Sequence, residues 1–259
     1  HIFGETAQLQ LDVFMLVVNG GRASLFIGFA AAVALLLLYH RRGRSALNFN
    51  GITDLITVIV FGVLLGGRIG YFLLYQPGTL LADPTAFFRV WEGGMASHGG
   101  FLGVLLAAVW FARTRRVPFL AVGDLVCALA PAGLLFGRLA NFVNAELVGR
   151  TTTVPWAVIF PREGPEPRHP SQLYEAFGEG LLPMLWVLWR YPKRLPPGQV
   201  AGEFLLLYAV ARFISEWFRL PEDGYILGMT AGQFWTLPMA IGGLYLIFRA
   251  RAGAKDVAR

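Results

Sequence analysis

The sequence predicts an all-α integral membrane protein of seven transmembrane helices, with a short interfacial arm and a small extramembrane cap. Three observations predict it. Hydrophobic residues make up 56% of the 259 and charged residues only 15%, an apolar excess over an ordinary soluble domain. The apolar residues fall into seven runs of about 20 residues, the length that crosses a bilayer core. Between the runs, basic residues gather in short clusters that alternate between rich and poor, the pattern that fixes the orientation of a membrane protein. The same features exclude disorder, a collagen repeat and, with Cys127 the single cysteine, a disulfide scaffold. A formal charge of +6 could suggest nucleic acid, but the clustering between apolar runs assigns it to topology instead.

The first run, 13–39, is interrupted by Asn19, Gly20, Gly21 and Arg22, so its crossing part is expected from Ala23 to Tyr39. The next six are 52–75, 94–112, 118–138, 174–189, 198–218 and 226–248. One set of connections holds Arg41, Arg42, Arg44, Arg113, Arg115, Arg116, Arg190, Lys193, Arg194, Arg249, Arg251, Lys255 and Arg259. The opposite set holds only Arg89, Arg138, Arg150, Arg162, Arg168 and Arg219. The richer set is expected in the cytoplasm, with the N-terminus outside and the C-terminus inside. Residues 76–92 mix Phe87, Phe88, Val90 and Trp91 with Asp83, Pro84 and Arg89, which predicts a short helix lying at the membrane surface. The prolines of 139–173 exclude a continuous helix and predict the cap. One domain is expected over 1–259, with no removable signal peptide; His1 in place of an initiator Met predicts a trimmed N-terminus.

Charges inside apolar runs are costly, about 2.5–3.5 kcal/mol each on insertion scales, and invite explanation. Arg212 lies mid-run, and Tyr208, Arg212 and Glu216 recur at four-residue spacing with Arg219 three further on, so one helical face carries all four. Spacing alone leaves open a structural Arg212–Glu216 pair or a functional site. His98, in GGMASHGGFLG, reads either as a helix-packing hydrogen bond or as a reactive group. Arg138, Asn141, Asn144 and Glu146 crowd the end of the fourth run, more polar groups than a helix cap needs. They suit a phosphate or glycerol moiety, because guanidinium matches phosphate oxygens in pairs. Around Arg68, GGRIGY lacks the Lys-Ser/Thr of a phosphate loop and follows no strand; helix packing, with a lipid phosphate possible nearby, explains it better. Cys127 reads as a buried packing residue.

The stretch Gly137-Arg138-Leu139-Ala140-Asn141-Phe142-Val143-Asn144-Ala145-Glu146-Leu147-Val148-Gly149 resembles the signature of the bacterial prolipoprotein diacylglyceryl transferases at every fixed position. GGRIGY (66–71), FRVWEGGM followed by HGG (88–100), RHPSQLYE (168–175) and the Tyr208–Arg219 face extend the resemblance in order along the chain. It implies a seven-helix bacterial inner-membrane enzyme with a periplasmic cap, which moves the diacylglyceryl group of phosphatidylglycerol onto the thiol of a lipobox cysteine in a prolipoprotein signal peptide and releases glycerol phosphate. It also implies roles for His98, Arg138, Asn141 and Arg212 as catalytic residues, and for Asn144, Glu146, Gly149, Tyr208, Glu216, Arg219 and Arg68 in substrate binding. The chain departs from the family in one place: its early Trp-Tyr-Gly element is absent, with Gly20 and Gly21 where the Trp-Tyr would fall.

For such a reaction, Arg138 and Arg212 are suited to the charge that grows on the leaving phosphate. His98 is the candidate base for the thiol, or orients the lipid. Glu146 and Glu216 are expected to hold the arginines. His98, Arg138, Asn141 and Arg212 are expected to line one outer-leaflet chamber open sideways to lipid. No metal or cofactor is implied, since no HExxH, paired cysteine or His/Asp/Glu cluster occurs at ligand spacing. The implied partners are phosphatidylglycerol, the prolipoprotein and membrane lipid, not nucleic acid, and the enzyme is expected to be a monomer. Two other readings are a transporter, which would spread polar residues at midplane depth over several spans, and a family paralogue that binds phospholipid without catalysis.

Overall fold

The computed structural model describes residues 27–257 apart from 29, 44, 46, 90–93, 194, 222 and 223. The interrupted start of the first run and the missing Trp-Tyr element lie outside them. The described residues are predominantly helical. Three helices, Phe49–Leu74, Phe119–Val143 and the Ala231–Gly253 part of the last, are long and apolar enough to cross a membrane. The chain divides into two compact units, Ser45–Gly123 and the remainder, His1–Arg44 with Asp124–Arg259.

In the 45–123 unit, α2 (Phe49–Leu74) starts where the Asn48 side chain accepts the Gly51 N–H at 2.8 Å, the usual work of an N-cap asparagine. It packs along α4 (Ser97–Arg115). The sequence makes that approach possible through Gly62, Gly66 and Gly70 on one helix and Gly99 and Gly103 on the other, all four residues apart. A Cβ on Gly66 would lie 2.3 Å from the Gly99 carbonyl oxygen, and one on Gly103 only 1.9 Å from that of Gly62. Backbone therefore meets backbone. The outward faces carry exposed Phe61, Leu65, Leu73, Phe101, Leu105 and Trp110, as a lipid-facing surface would. Between the helices in sequence comes the arm, α3 (Pro77–Ala82) and a 3₁₀ turn (Pro84–Phe88), each opened by a proline where the missing N–H is harmless. The arm is thus two short turns hinged at Asp83 rather than the single short helix predicted.

In the other unit, α1 (Ala30–Arg41) ends in the basic cluster, and α5 (Phe119–Val143), which belongs to it from Asp124 onward, contains Pro131. α5 runs five residues beyond the expected 138, because nothing breaks it until Ala145 turns the backbone left-handed; the first part of the predicted cap is therefore helix. The rest of 139–173 contains a small ribbon, β1 (Val158–Ile159) antiparallel to β2 (Pro167–Arg168), and a small core of Ala145, Val148 and Phe160. A second ribbon, β3 (Tyr225–Ile226) with β4 (Met229–Thr230), turns through Leu227 and Gly228, both at positive φ, as tight hairpins require. These ribbons qualify the all-α expectation.

From Ser171 to Arg190 the chain is one helical run: α6 (Ser171–Glu175), a π-helical stretch (Ala176–Leu181) and α7 (Leu182–Arg190). Pro183 cannot donate to the carbonyl four residues back, which explains the widened turn just before it. α8 (Gln199–Ser215) is started by a side chain from another helix: buried Asp124 accepts N–H bonds from Gly198 at 2.7 Å and Ala201 at 2.8 Å. α9 (Ala231–Val257) packs along α8, and a Cβ on Gly202 would lie 2.7 Å from the Gly243 carbonyl oxygen.

Candidate active site

Arg138 from α5 and Arg212 from α8 reach the same two carboxylates, Glu175 and Glu179. Arg138 Nη1 lies 2.9 Å from Glu175 Oε2, and its Nη2 lies 3.1 Å from Glu179 Oε2. Arg212 Nη1 is 3.3 Å from Glu175 Oε1 and 3.4 Å from Glu179 Oε1, while its Nη2 pairs with Glu216. Arg219 Nη1 completes the cluster, 3.3 Å from Glu175 Oε1. Ser215 Oγ donates to Glu179 Oε1 at 3.1 Å, and Thr230 Oγ1 donates to Glu216 Oε2 at 2.7 Å. Glu175 and Glu179 are fully buried, and the three arginine side chains are only 10–15% exposed.

Why these residues meet follows from local structure. Glu175 closes α6 and Glu179 lies in the π stretch, and that run packs closely on α5: a Cβ on Gly180 would lie 2.6 Å from Leu135 Cα. On α8, Tyr208, Arg212 and Glu216 share one face as the spacing predicted, and Tyr208 sits in the field of Glu179, Arg212, Arg138 and Glu175. Gly232 at the start of α9 leaves room for Glu216, whose Oε1 would be 2.3 Å from any Cβ there.

Among the described residues the cluster brings three guanidinium groups to three carboxylates. Arg138 and Arg212, expected to meet the charge that grows on the leaving phosphate, are thus already paired with carboxylates. What they offer is oriented N–H groups, and Arg138 has one in reserve: its Nε is buried with no hydrogen-bond partner. Glu216 does hold an arginine, but Glu146 does not follow the same expectation among the described bonds. It accepts from Asn141 Nδ2 at 3.0 Å, because the chain folds back after Val143 and its N–H bonds the Asn141 carbonyl at 2.9 Å. The Asn144 N–H closes the last turn on the Ala140 carbonyl, at 2.9 Å.

Gly149 is required sterically: a Cβ there would lie 2.2 Å from the His169 carbonyl oxygen and 2.9 Å from that of Phe218. Through it the signature segment is tied to two others. Gly149 bridges to Arg219, the Arg150 N–H bonds the Phe218 carbonyl at 2.9 Å, and the His169 N–H bonds the Arg150 carbonyl at 3.0 Å. His169, Tyr174 and Phe218 stack edge to face beside it, and Tyr174 Oη accepts the Trp156 indole N–H at 2.7 Å.

Arg68 and His98 belong to the 45–123 unit. The Arg68 guanidinium donates from Nε to the Phe87 carbonyl at 3.0 Å and from Nη1 to that of Gly94 at 2.9 Å. From Nη2 it donates to the carbonyls of Ala86 and Arg89, and it also lies over the Phe72 ring. It fastens the arm. His98 is the second residue of α4; its side chain lies outside the described residues.

Sequence reasoning missed Glu175, Glu179, Ser215, Thr230 and Gln172. A signal existed for the first two: both carboxylates stand inside the apolar run 174–189, four residues apart, where a charge demands a partner.

A profile of the family described as prolipoprotein diacylglyceryl transferase matches residues 23–249. Among similar curated proteins, one from Polynucleobacter asymbioticus is 50% identical over 207 residues, 78% of each chain. One from Zymomonas mobilis is 48% identical over 257 residues, 97% of this chain and 87% of its own. One from Rhizobium meliloti is 42% identical over 245 residues, 88% of each. All three are named phosphatidylglycerol–prolipoprotein diacylglyceryl transferase.

Proposed function

The chain belongs to the prolipoprotein diacylglyceryl transferase family, and from that premise we propose how its own residues carry the reaction. It is a multi-pass membrane enzyme that transfers the diacylglyceryl group of phosphatidylglycerol to prolipoproteins. In our reading the acceptor is the lipobox cysteine. Its sulfur attacks the glycerol carbon, an S–C bond forms, the C–O bond to phosphorus breaks, and the electron pair leaves on glycerol phosphate. The thiol proton goes to a base.

The observation that carries this reading is Arg138. Buried, held at both Nη atoms by Glu175 and Glu179, and left with an unpartnered Nε–H, it is pre-oriented to meet a phosphate oxygen without reorganising. Arg212, bound to three carboxylates, supports Arg138 across the shared pair and takes the second share of growing charge. Tyr208, Glu216 and Arg219 keep that face in register. Asn141 faces the substrate with Glu146 behind it, and Asn144 and Gly149 shape the same segment. Arg68 contributes through the arm it fastens. His98, assigned from its motif, is the base for the thiol.

We read the chain as one transferase domain with seven spans, the arm at 76–92 and the cap at 139–173 on the periplasmic side. The N-terminus is then periplasmic, the C-terminus is cytoplasmic, and the protein works as a monomer in the inner membrane. The basic residues of alternate connections support this orientation. The test is transfer itself. Purified protein given labelled phosphatidylglycerol and a lipobox peptide is expected to form a thioether and release glycerol phosphate in equal amounts. A protein that forms neither, where a relative forms both, overturns the reading.

A further inference from the structure

Directly after α5 the chain reverses through Ala145 and Leu147, which both take φ of 55° on either side of Glu146. Residues with a Cβ hold that conformation only where their surroundings over-determine it. Here the surroundings are the first two side chains of α6. Ser171 Oγ donates to the Leu147 carbonyl at 3.3 Å, and Gln172 Nε2 donates to the Glu146 carbonyl at 2.7 Å. Both side chains are completely buried. At its other end Glu146 receives Asn141 Nδ2 at 3.0 Å. Both acceptors on Glu146 can only accept, so the orientation of each amide is fixed by chemistry: Nε2 of Gln172 and Nδ2 of Asn141 face Glu146.

The remaining atom of the Gln172 amide, Oε1, is buried with no hydrogen-bond partner. A residue kept for packing alone would not carry that burden, since methionine fills similar volume without a buried acceptor. We propose that Gln172 is a positioning residue of the transferase: through the Glu146 carbonyl it sets the reversed loop, and through the Glu146 carboxylate it sets the rotation of Asn141. The inference rests on the transferase reading and on the place of Asn141 in it. It assigns to RHPSQLYE a specific task, holding the signature segment through the carbonyls of Glu146 and Leu147.

Two measurements test it. In Gln172→Met, kcat for thioether formation should fall about a hundredfold, the scale of a misplaced reacting group, with KM for phosphatidylglycerol nearly unchanged. Tm should stay close to wild type, because losing the bond to the Glu146 carbonyl is offset by losing the orphaned oxygen. A purely structural glutamine gives the opposite, a lower Tm with wild-type turnover per folded molecule, and that result overturns the proposal. The second readout needs no activity. Asn141→Ala and Gln172→Met, which act on opposite ends of Glu146, should shift Tm non-additively when combined; additive shifts overturn the linkage. If wild type forms no thioether, the transferase reading fails, and this cycle still decides whether Gln172 governs Asn141.

Discussion

Both units use glycines to bring helices close, at Gly202 and Gly243 in the larger one as well, but among the described residues only the larger adds a cluster of buried charges. In the 45–123 unit, α2 and α4 meet because side chains have been removed: glycines let backbone approach backbone, and the buried charge among the described residues, Arg68, is satisfied by neutral carbonyls of the arm. In the other unit, helices are joined by three arginines around the oxygens of Glu175 and Glu179 at 2.9–3.4 Å, with Glu216 paired to Arg212. The difference teaches which change each can bear. The seam tolerates no added atom, and the cluster tolerates no lost charge. Only the second mode gathers several guanidinium groups at one place.

The largest expected effect breaks the charge balance. Glu179→Gln leaves buried Arg138 and Arg212 undercompensated and should cost about 3–5 kcal/mol of stability, read by denaturant unfolding in detergent micelles. Combining it with Arg138→Gln should restore part of that loss. A double variant as unstable as the sum of its parts would show that balance is not what holds the cluster. Next is the seam. Gly103→Ala would press a methyl on the Gly62 carbonyl, and should cost about 1–3 kcal/mol as overpacking does, with no matching change in the order of the cap by hydrogen exchange.

Smaller effects concern the arm. Arg68→Lys keeps the charge but cannot reach several carbonyls at once; faster amide exchange over 84–89 is expected, at about 1–3 kcal/mol of local stability. The smallest effect is a pH response. Hydrogen bonds from Thr85 and then Arg89 lower the Asp83 carboxyl from 3.8 to about 2. A lowered carboxyl contributes its stability above the unfolded value and loses it as pH falls through the folded one. Proteolysis at the arm should therefore be unchanged from pH 7 to about 4 and rise between about 4 and 2, a rise that Asp83→Asn abolishes.

Much of this was legible in sequence for a physical reason: helical periodicity states which residues share a face. The close-set glycines around Arg68 and beside His98 therefore pointed to close packing without naming the partner, and the spacing of Tyr208, Arg212 and Glu216 announced one face of the cluster. What periodicity cannot state is which face of another helix answers. Glu175 and Glu179 stayed unassigned for that reason, and so did the carbonyls that hold Arg68, which lie far along the chain in an irregular segment. Charge alone pairs Glu146 with an arginine. Two positive-φ residues without glycine, Ala145 and Leu147, return it to Asn141 instead, and nothing in their side chains signals that turn.

The central claim is that Arg138, held by Glu175 and Glu179, meets the phosphate with directed N–H groups rather than with charge alone. Thioether formation by Arg138→Lys, measured per folded molecule beside wild type, tests it most directly. The account predicts turnover reduced about a hundredfold or more, as when one oriented donor is removed from a preorganised site, because lysine keeps the charge and loses the fork. Turnover by Arg138→Lys at the wild-type rate would contradict it.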